Sequence, residues 1–360
     1  MTPVEPTIWP LDPHGRAKHY ILRSHLNGWL PIMTRSFRKL LYIDGFAGPG
    51  IYEGGEPGSP VIALRAAMFH HQLVKNPPAC ELGFLFIEER ADRVERLKQE
   101  LEALGAQLPP WIKYHVMQGE FAAVMERRFD RWSLHGKRSM FAFLDPFGYS
   151  GVPMTLMARI AKVRHSECLI NFTYKSLRRW GSDAPKFPAI DALYGGSMWR
   201  PHLLDEEAMV ELYRKQLIAA GGFKYSCIFK MKDRSDVTEY MLVFATNDPK
   251  GLTVMKRAMW SRDPLSGQSF SDARDEGQFV LAIESLPLRQ LLMKQFGGRG
   301  WVRIEDVEEF VRHTPYSEEM HLKNKTLLPM ANEGPTVLEV QRPVGRHIGF
   351  TAGTRLRFHR

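Results

Sequence analysis

The first half of the chain alternates largely apolar runs of strand length with stretches of helical spacing. The runs cover residues 40–44, 82–88, 111–117, 139–145 and 167–172, and each stops at or beside a polar residue: Asp44, Glu88, Gln118, Asp145 and Asn171. Such runs predict strands buried on both faces of a sheet. Residues 61–69, 91–104, 121–132 and 154–162 predict helices. In the second of these, Val94, Leu97, Leu101 and Leu104 form one stripe, which Gly105 ends. Strand–helix alternation predicts a parallel, doubly wound α/β sheet. Ahead of it, Tyr20, Leu22, His25, Leu26 and Trp29 fall near helical spacing, giving one apolar and one basic face. Beyond it come a helix over 205–220, a hairpin of 223–231 with 239–246, and a helix over 251–260. The hairpin adds a closing antiparallel strand to a mostly parallel sheet. Residues 262–278 are polar and predict a linker. Three short helices (286–296, 303–311, 317–330) and two strands (336–340, 354–358) follow, which is the order of a winged helix. The expected organisation is an α/β Rossmann-like sheet over 1–262 with 1–40 as a helical cover, a linker over 263–280, and a winged-helix-like domain over 281–360. No internal repeat or low-complexity tract is visible.

The chemistry concentrates where these strands end. The first strand stops at Asp44 and runs into a turn with Gly45, Gly48 and Gly50, where the backbone needs positive φ or close approach to a ligand. Ser59 and Pro60 suit the N-cap and first position of the next helix. A strand, an acid, a glycine turn and a helix start in this order form the mouth of a nucleotide site; the plain alternative is a glycine-rich turn without a ligand. The glycine spacing does not fit the dinucleotide fingerprint, and no Lys-Ser/Thr pair follows for a triphosphate. Asp44, Glu53, Glu56 and Glu88 crowd the site with negative charge, and an acid ending the second strand suits ribose hydroxyls. S-adenosylmethionine, which has two cationic centres, a ribose and no phosphate, fits that charge better than NAD. Phe46 and Ala47 complete the loop, and Glu120 is the candidate for the adenine edge. Lys18 and His19 either cover this site or belong to a helix packed on the sheet.

A second acid-ended strand runs into Asp145-Pro146-Phe147-Gly148-Tyr149. Pro146 fixes the turn and keeps the helix from starting early. The segment after the fifth strand mixes Tyr174 with Lys175, Arg178 and Arg179. It reads either as a solvated loop or as a substrate loop whose rings stack a base and whose cations hold phosphate.

Composition adds limits. The chain has 360 residues and a net charge of +9, with pI near 9.4, which suits a polyanionic partner without proving one. The last 20 residues carry Arg342, Arg346, Arg355, Arg357 and Arg360 and no acid. Cys80, Cys168 and Cys227 lack metal-type spacing and read as reduced core thiols. No metal site is expected. No membrane-length apolar run and no signal pattern are present, so a cytoplasmic protein is expected.

Lys18-His19…Trp29, the Tyr42–Gly50 segment, Gly55-Glu-Pro-Gly-Ser-Pro60 and Phe143-Leu-Asp-Pro-Phe-Gly148 together resemble the three-Cys-motif partner family, TcmP. The resemblance covers most of the chain, and the name's three cysteines belong to a partner similar to radical S-adenosylmethionine enzymes. It implies a Rossmann-like methyltransferase fold, with the methionine part of the cofactor on Asp44, Gly45, Phe46, Ala47 and Gly48 and with Glu88 as the second-strand acid. Related adenine methyltransferases carry Asp/Asn-Pro-Pro-aromatic at the fourth strand and hold the target amine by its acid and backbone carbonyl. The counterpart here, Asp145-Pro146-Phe147, lacks the second proline. The leading expectation is a methyltransferase for an exocyclic amine on a nucleic-acid base, with Phe147 or Tyr149 stacking the flipped base. The alternatives are a non-catalytic nucleic-acid or repair accessory working with the three-Cys partner, a methyltransferase for a small molecule or peptide, and, most distantly, an NAD-linked oxidoreductase.

Overall fold

The computed structural model describes residues 6–105, 107–131, 138–163, 165–271, 286–346 and 348–359. Eight strands make the main sheet: β1 (Lys39–Asp44), β2 (Glu81–Glu88), β3 (Ile112–Gln118), β4 (Arg138–Leu144), β5 (Glu167–Phe172), β6 (Tyr225–Lys232), β7 (Thr238–Thr246) and β8 (Ser269–Ser271), in the spatial order β3-β2-β1-β4-β5-β7-β6-β8. The first five are parallel, and β7 is antiparallel to both β5 and β6. This is the mostly parallel sheet with a closing antiparallel strand that the pattern predicts. The order reverses between β1 and β4; in open α/β sheets the crevice at such a point, outside the carboxyl ends of the strands, is where ligands bind.

Apolar residues cover both faces of the sheet. On one side Tyr42, Phe84, Phe86, Phe141, Phe143 and Leu169 pack under α1 (Pro13–Ser36), α2 (Ser59–Met68) and the helix Pro249–Arg262. On the other, Ile43, Leu85, Ala142, Leu144 and Ile170 pack against Phe121–Arg131, Met154–Ala161 and Glu206–Ala219. Helix α1 starts well, because Asp12 caps it by accepting from the Gly15 N–H at 2.5 Å. It crosses the sheet from the carboxyl edge to the amino edge and is pinned at both. Lys18 Nζ lies 2.5 Å from Asp145 Oδ2, and His25 Nε2 lies 2.9 Å from Glu167 Oε2. The spacings match. Seven helical residues rise about 10 Å, and the four residues from Glu167 to Asn171 on β5 rise about 13 Å.

Residues 286–359 form a separate cluster around Leu288, Leu292, Val307, Leu322 and Leu356. The helices are Leu286–Phe296, Ile304–Arg312, a π-wound Glu318–Leu327 and Leu328–Asn332. The strands Trp301–Arg303, Leu338–Gln341 and Arg355–Phe358 pair antiparallel. This unit is held to the main one by Lys256, whose buried ammonium donates to the carbonyls of Val311, Arg312 and Tyr316 at 3.2, 2.9 and 2.7 Å. Burial lowers the Lys256 pKa to about 8.

Three expectations need correction, and one short strand was not expected. Residues 174–180 are the helix Tyr174–Trp180, not a loop, because Tyr174 and Leu177 have core to bury against. Gly58 caps α2, and Ser59 is its first residue. The polar stretch after Arg262 is no free linker: the buried carboxylate of Asp263 accepts from the N–H groups of Gln268 and Ser269, both at 3.1 Å, and sets β8 beside β6. Strand Trp301–Arg303 is too short for a periodic signal. The rest of the expected linker, 272–280, and Arg360 lie outside the described residues.

Removing one partner of the His25–Glu167 pair leaves a buried polar atom of the other without its hydrogen bond, which costs about 1–3 kcal/mol. Glu167→Ala is expected to lower the chemical-denaturation midpoint strongly. Glu167→Gln, which keeps a hydrogen bond, should lower it less; equal losses would contradict the pairing.

Candidate active site

Strand register builds the site. Asp44 is level with Phe86 on β2 and Phe143 on β4, so Glu88 and Asp145 each stand two residues beyond it on the same face. Phe143 is level with Leu169, which puts Asn171 level with Asp145. The carboxyl edge thus carries Glu88, Asp145 and Asn171 in a row, with Asp44 one step below.

The glycine turn lies over this row. Gly48 and Gly50 hold φ of +61° and +78°, the left-handed region that glycine tolerates without strain. A Cβ at Gly45 would lie 2.7 Å from Leu144 Cδ2 and Phe121 Cδ2, so only glycine lets the loop settle on the sheet. The Gly48 N–H donates to Glu88 Oε2 and the Arg90 N–H to Glu88 Oε1, both at 2.9 Å. Glu88 therefore ties the loop down as well as facing the cavity.

Two hollows meet at Phe46 and Phe147. The larger, about 360 Å³, is lined by Gly45, Glu88, Arg93, Gly119, Glu120 and Phe121 among others. The smaller, about 30 Å³, is lined by Trp9, Ala47, Gly48, Tyr52, Ser59 and Asp145 among others.

The electrostatics of the site come mainly from burial. Asp44 is fully buried; its Oδ1 accepts a long 3.4 Å bond from the Phe46 N–H, and its Oδ2 has no hydrogen-bond partner. Burial pushes its pKa up to about 7, opposed by the Ser59 hydroxyl and reinforced by the charges of Asp145 and Glu88. Burial, helped by the Lys18 charge and opposed by Asp145, lowers His19 to about 3, so it stays neutral. The carboxylate of Asp145 is committed on both sides, because Oδ2 takes Lys18 and Oδ1 accepts from Asn171 Nδ2 at 2.6 Å.

The structure brings together most of the residues expected here. Gly45, Phe46, Ala47, Gly48, Ser59, Glu88, Glu120, Asp145 and Phe147 line the two hollows. Asp44 lies beneath them without surface of its own. Lys18 and His19 are buried beside them, Lys18 on Asp145 and His19 with Nε2 3.5 Å from the Tyr52 hydroxyl. That helix therefore packs on the sheet and reaches the side chains of the candidate site. The substrate set is not gathered. Tyr174 is buried and its hydroxyl donates to the Leu203 carbonyl, so it cannot stack a ligand. Pro146 and Tyr149 line a separate crevice of about 10 Å³. Lys175 pairs with Glu239, and Arg178 and Arg179 lie on the exposed face of their helix. Sequence reasoning missed Trp9, Tyr52 and Arg93, which sit outside any strand-end pattern; Asn171 was visible as a polar strand end without a role. Among the described residues no His/Cys/Asp/Glu cluster could hold a metal, no helix is long and apolar enough to cross a membrane, and the three cysteines are free and buried.

No protein-family model and no curated protein matches the chain. Solved structures similar to it include the methyltransferase domain of bacterial CtHen1 (10% identity, 63% of this chain and 99% of that one, TM-score 0.31). Others are a SAM-dependent methyltransferase from Aquifex aeolicus (12%, 62% and 89%, TM-score 0.30) and M. jannaschii TYW2 in complex with AdoMet (10%, 61% and 75%, TM-score 0.28). Likenesses of this size carry no argument; strand order and register describe the fold by themselves.

The Asp44 pKa gives a pH signature. Its folded value near 7 lies above the ordinary carboxyl value of 3.8. Between those values the folded state holds a proton that the unfolded state has lost, so rising pH removes about 1.4 kcal/mol of stability per unit until the folded carboxyl also ionises. Asp44→Asn abolishes this term. Its melting temperature relative to the parent protein should rise between pH 5 and pH 8, and a constant difference would refute the assignment.

Proposed function

We propose that the chain is an S-adenosylmethionine-dependent methyltransferase acting on nucleic acid. The observation that carries this reading is Asp44, a fully buried carboxylate with an unpartnered Oδ2 under a glycine loop, between two further carboxylates and beside a cleft of about 360 Å³. A negative field of this kind favours a cationic ligand and disfavours a phosphate.

The residues present fit the cofactor. Glu88 would hold ribose hydroxyls with its remaining lone pairs, Glu120 and Gly119 would flank the adenine, and Gly48 and Ser59 would take the methionine end, with Asp44 acting through its charge from beneath the loop. When bound, S-adenosylmethionine supplies an electrophilic methyl group, so the acceptor needs alignment more than a strong base. Asp145, fixed by Lys18 and Asn171, is a rigid orienting group in the wall of the smaller hollow. Phe147 beside it is 63% exposed, which leaves a ring face for an unstacked base. An exocyclic amine is the acceptor such a carboxylate would orient. A polyanionic partner is supported by the net charge of +9 and by Arg342, Arg346, Arg355 and Arg357 around the last two strands. We read those strands and the helices before them, with 281–360 as bounds, as a winged-helix-like module beside a catalytic domain over 1–262. A three-Cys partner rests on the family resemblance.

One observation favours a second reading. Both Asp145 oxygens are bonded within the chain, as in a protein that keeps the fold and binds nucleic acid without methylating it.

Calorimetry with S-adenosylmethionine tests the cofactor. The parent protein should bind it, and Asp44→Ala should weaken binding at least ~10-fold, about 1.4 kcal/mol; absence of binding to the parent ends the proposal. Transfer of labelled methyl to DNA or RNA, lost in Asp145→Ala while cofactor binding persists, separates the enzyme from the accessory. Nucleic-acid affinity should fall steeply as salt rises.

A further inference from the structure

We propose that the outer face of the C-terminal sheet binds single-stranded nucleic acid, with Trp301 stacking a base and the arginines beside it holding phosphates. The inference rests on the nucleic-acid reading and deepens it, naming the form of the partner and the surface that takes it.

The strand Arg355–Phe358 lies between Leu338–Gln341 and Trp301–Arg303. Residues level with each other across an antiparallel ladder share a face. Trp301 is level with Arg357, and Arg357 with Glu339; Arg303 is level with Arg355, and Arg355 with Gln341. The opposite face carries Val302, Leu338, Leu356 and Phe358, which pack into the core of this unit. Alternation therefore leaves Trp301, Arg303, Arg355 and Arg357 on the outer face, where all four are exposed, Trp301 by 45%. Arg355 has no ion pair among the described residues. Arg357 pairs with Glu339 at 3.6 Å and Arg303 with Asp306 at 3.2 Å, and all four of these side chains are solvated. Exposed pairs of this kind contribute little, so a phosphate can take over either guanidinium. Trp301 also lines an open hollow of about 520 Å³ with Leu328, Pro335, Val340 and Arg342, which has the volume for a nucleobase. An exposed ring among cations is what holds an unpaired base and its backbone. A duplex keeps its bases stacked on one another and offers the indole no free face.

The helix that would read a duplex is committed elsewhere. In helix-turn-helix modules the second helix of the motif lies in the major groove. The counterpart here, Glu318–Leu327, is docked on the helix Pro249–Arg262 of the main unit. Glu319 pairs with Lys250 at 2.5 Å and with Arg257 at 3.1 Å, and the buried His321 ring packs on Trp260 with centroids 4.2 Å apart. Its first turn also carries Glu318 and Glu319, which a phosphate backbone repels. The sheet is thus the part of this unit that offers a free cationic surface with a ring in it.

Fluorescence anisotropy on the full chain compares a labelled single strand of about 12 nucleotides, within the site sizes of single-strand binders, with a duplex of the same sequence, each as DNA and as RNA. The parent protein should prefer the single strand in at least one of the two. Trp301→Ala should weaken single-strand binding roughly 5- to 150-fold, the range of one base–aromatic stack, and Trp301→Phe should keep most of the affinity because a ring face remains. Arg355→Gln should make the slope of log affinity against log salt shallower by about 0.7, one phosphate contact on a single strand. Preference for the duplex, unchanged affinity in Trp301→Ala, or equal loss in Trp301→Ala and Trp301→Phe overturns the inference. Should Trp301→Ala not fold, Trp301→Phe and Arg355→Gln decide: full loss in the first or an unchanged slope in the second overturns it. If the parent protein binds neither form, the nucleic-acid reading falls and takes this inference with it; if it binds and is indifferent to both positions, only the inference falls.

Discussion

Parallel register is the constraint on which the site depends. Strands β1, β2, β4 and β5 advance in step, so residues of the same parity end on the same face and at the same edge. That places Glu88, Asp145 and Asn171 side by side with Asp44 just below, on the face covered by α1 and α2. A shift of one residue in any of these strands would send its polar end to the opposite face, into the cluster of Leu85, Leu144 and Ile170. The same hydrophobic alternation that fills the core therefore fixes the positions of the acids.

Such a row of carboxylates would repel itself if left bare, and the fold relieves it in three ways. Lys18 comes from α1 to neutralise Asp145; backbone N–H groups of Gly48 and Arg90 satisfy Glu88; Asp44 takes up a proton near neutral pH. The first two are built in, and the third is conditional. A cation arriving above Asp44 can take over from that proton, so the charge state of the site and its occupancy are linked. Helix α1 is as much an electrostatic element as a packing one, since its other pin, His25 on Glu167, closes the only comparable buried pair along its length among the described residues.

Much of this was legible in the sequence. The strand ends were visible because buried parallel strands are apolar throughout and break abruptly at Asp44, Glu88 and Asp145; the glycine turn was visible because close approach and positive φ restrict composition. What failed had other physical causes. Residues 174–180 look like a basic aromatic loop in one dimension, but Tyr174 and Leu177 fall on one helical face and find the core. The Asp263 turn is set by one buried carboxylate collecting N–H groups, which no periodicity announces. Trp9 was invisible because the segment ahead of α1 is positioned by what it crosses, not by its own pattern.

The committed state of Asp145 bears on the chemistry more than its identity does. A carboxylate held by an ammonium on one oxygen and an amide on the other cannot swing, and each of its oxygens retains one lone-pair direction for an incoming N–H or O–H donor. That is the property an alignment-driven transfer needs, because misplacement of the acceptor by about 1 Å costs on the order of 100-fold in rate. The same two bonds hold both carboxylate oxygens of Asp145 to partners within the chain. A site built this way favours acceptors that need orientation over acceptors that must first lose a proton, so the Lys18–Asp145–Asn171 arrangement itself narrows the class of reaction the cleft supports.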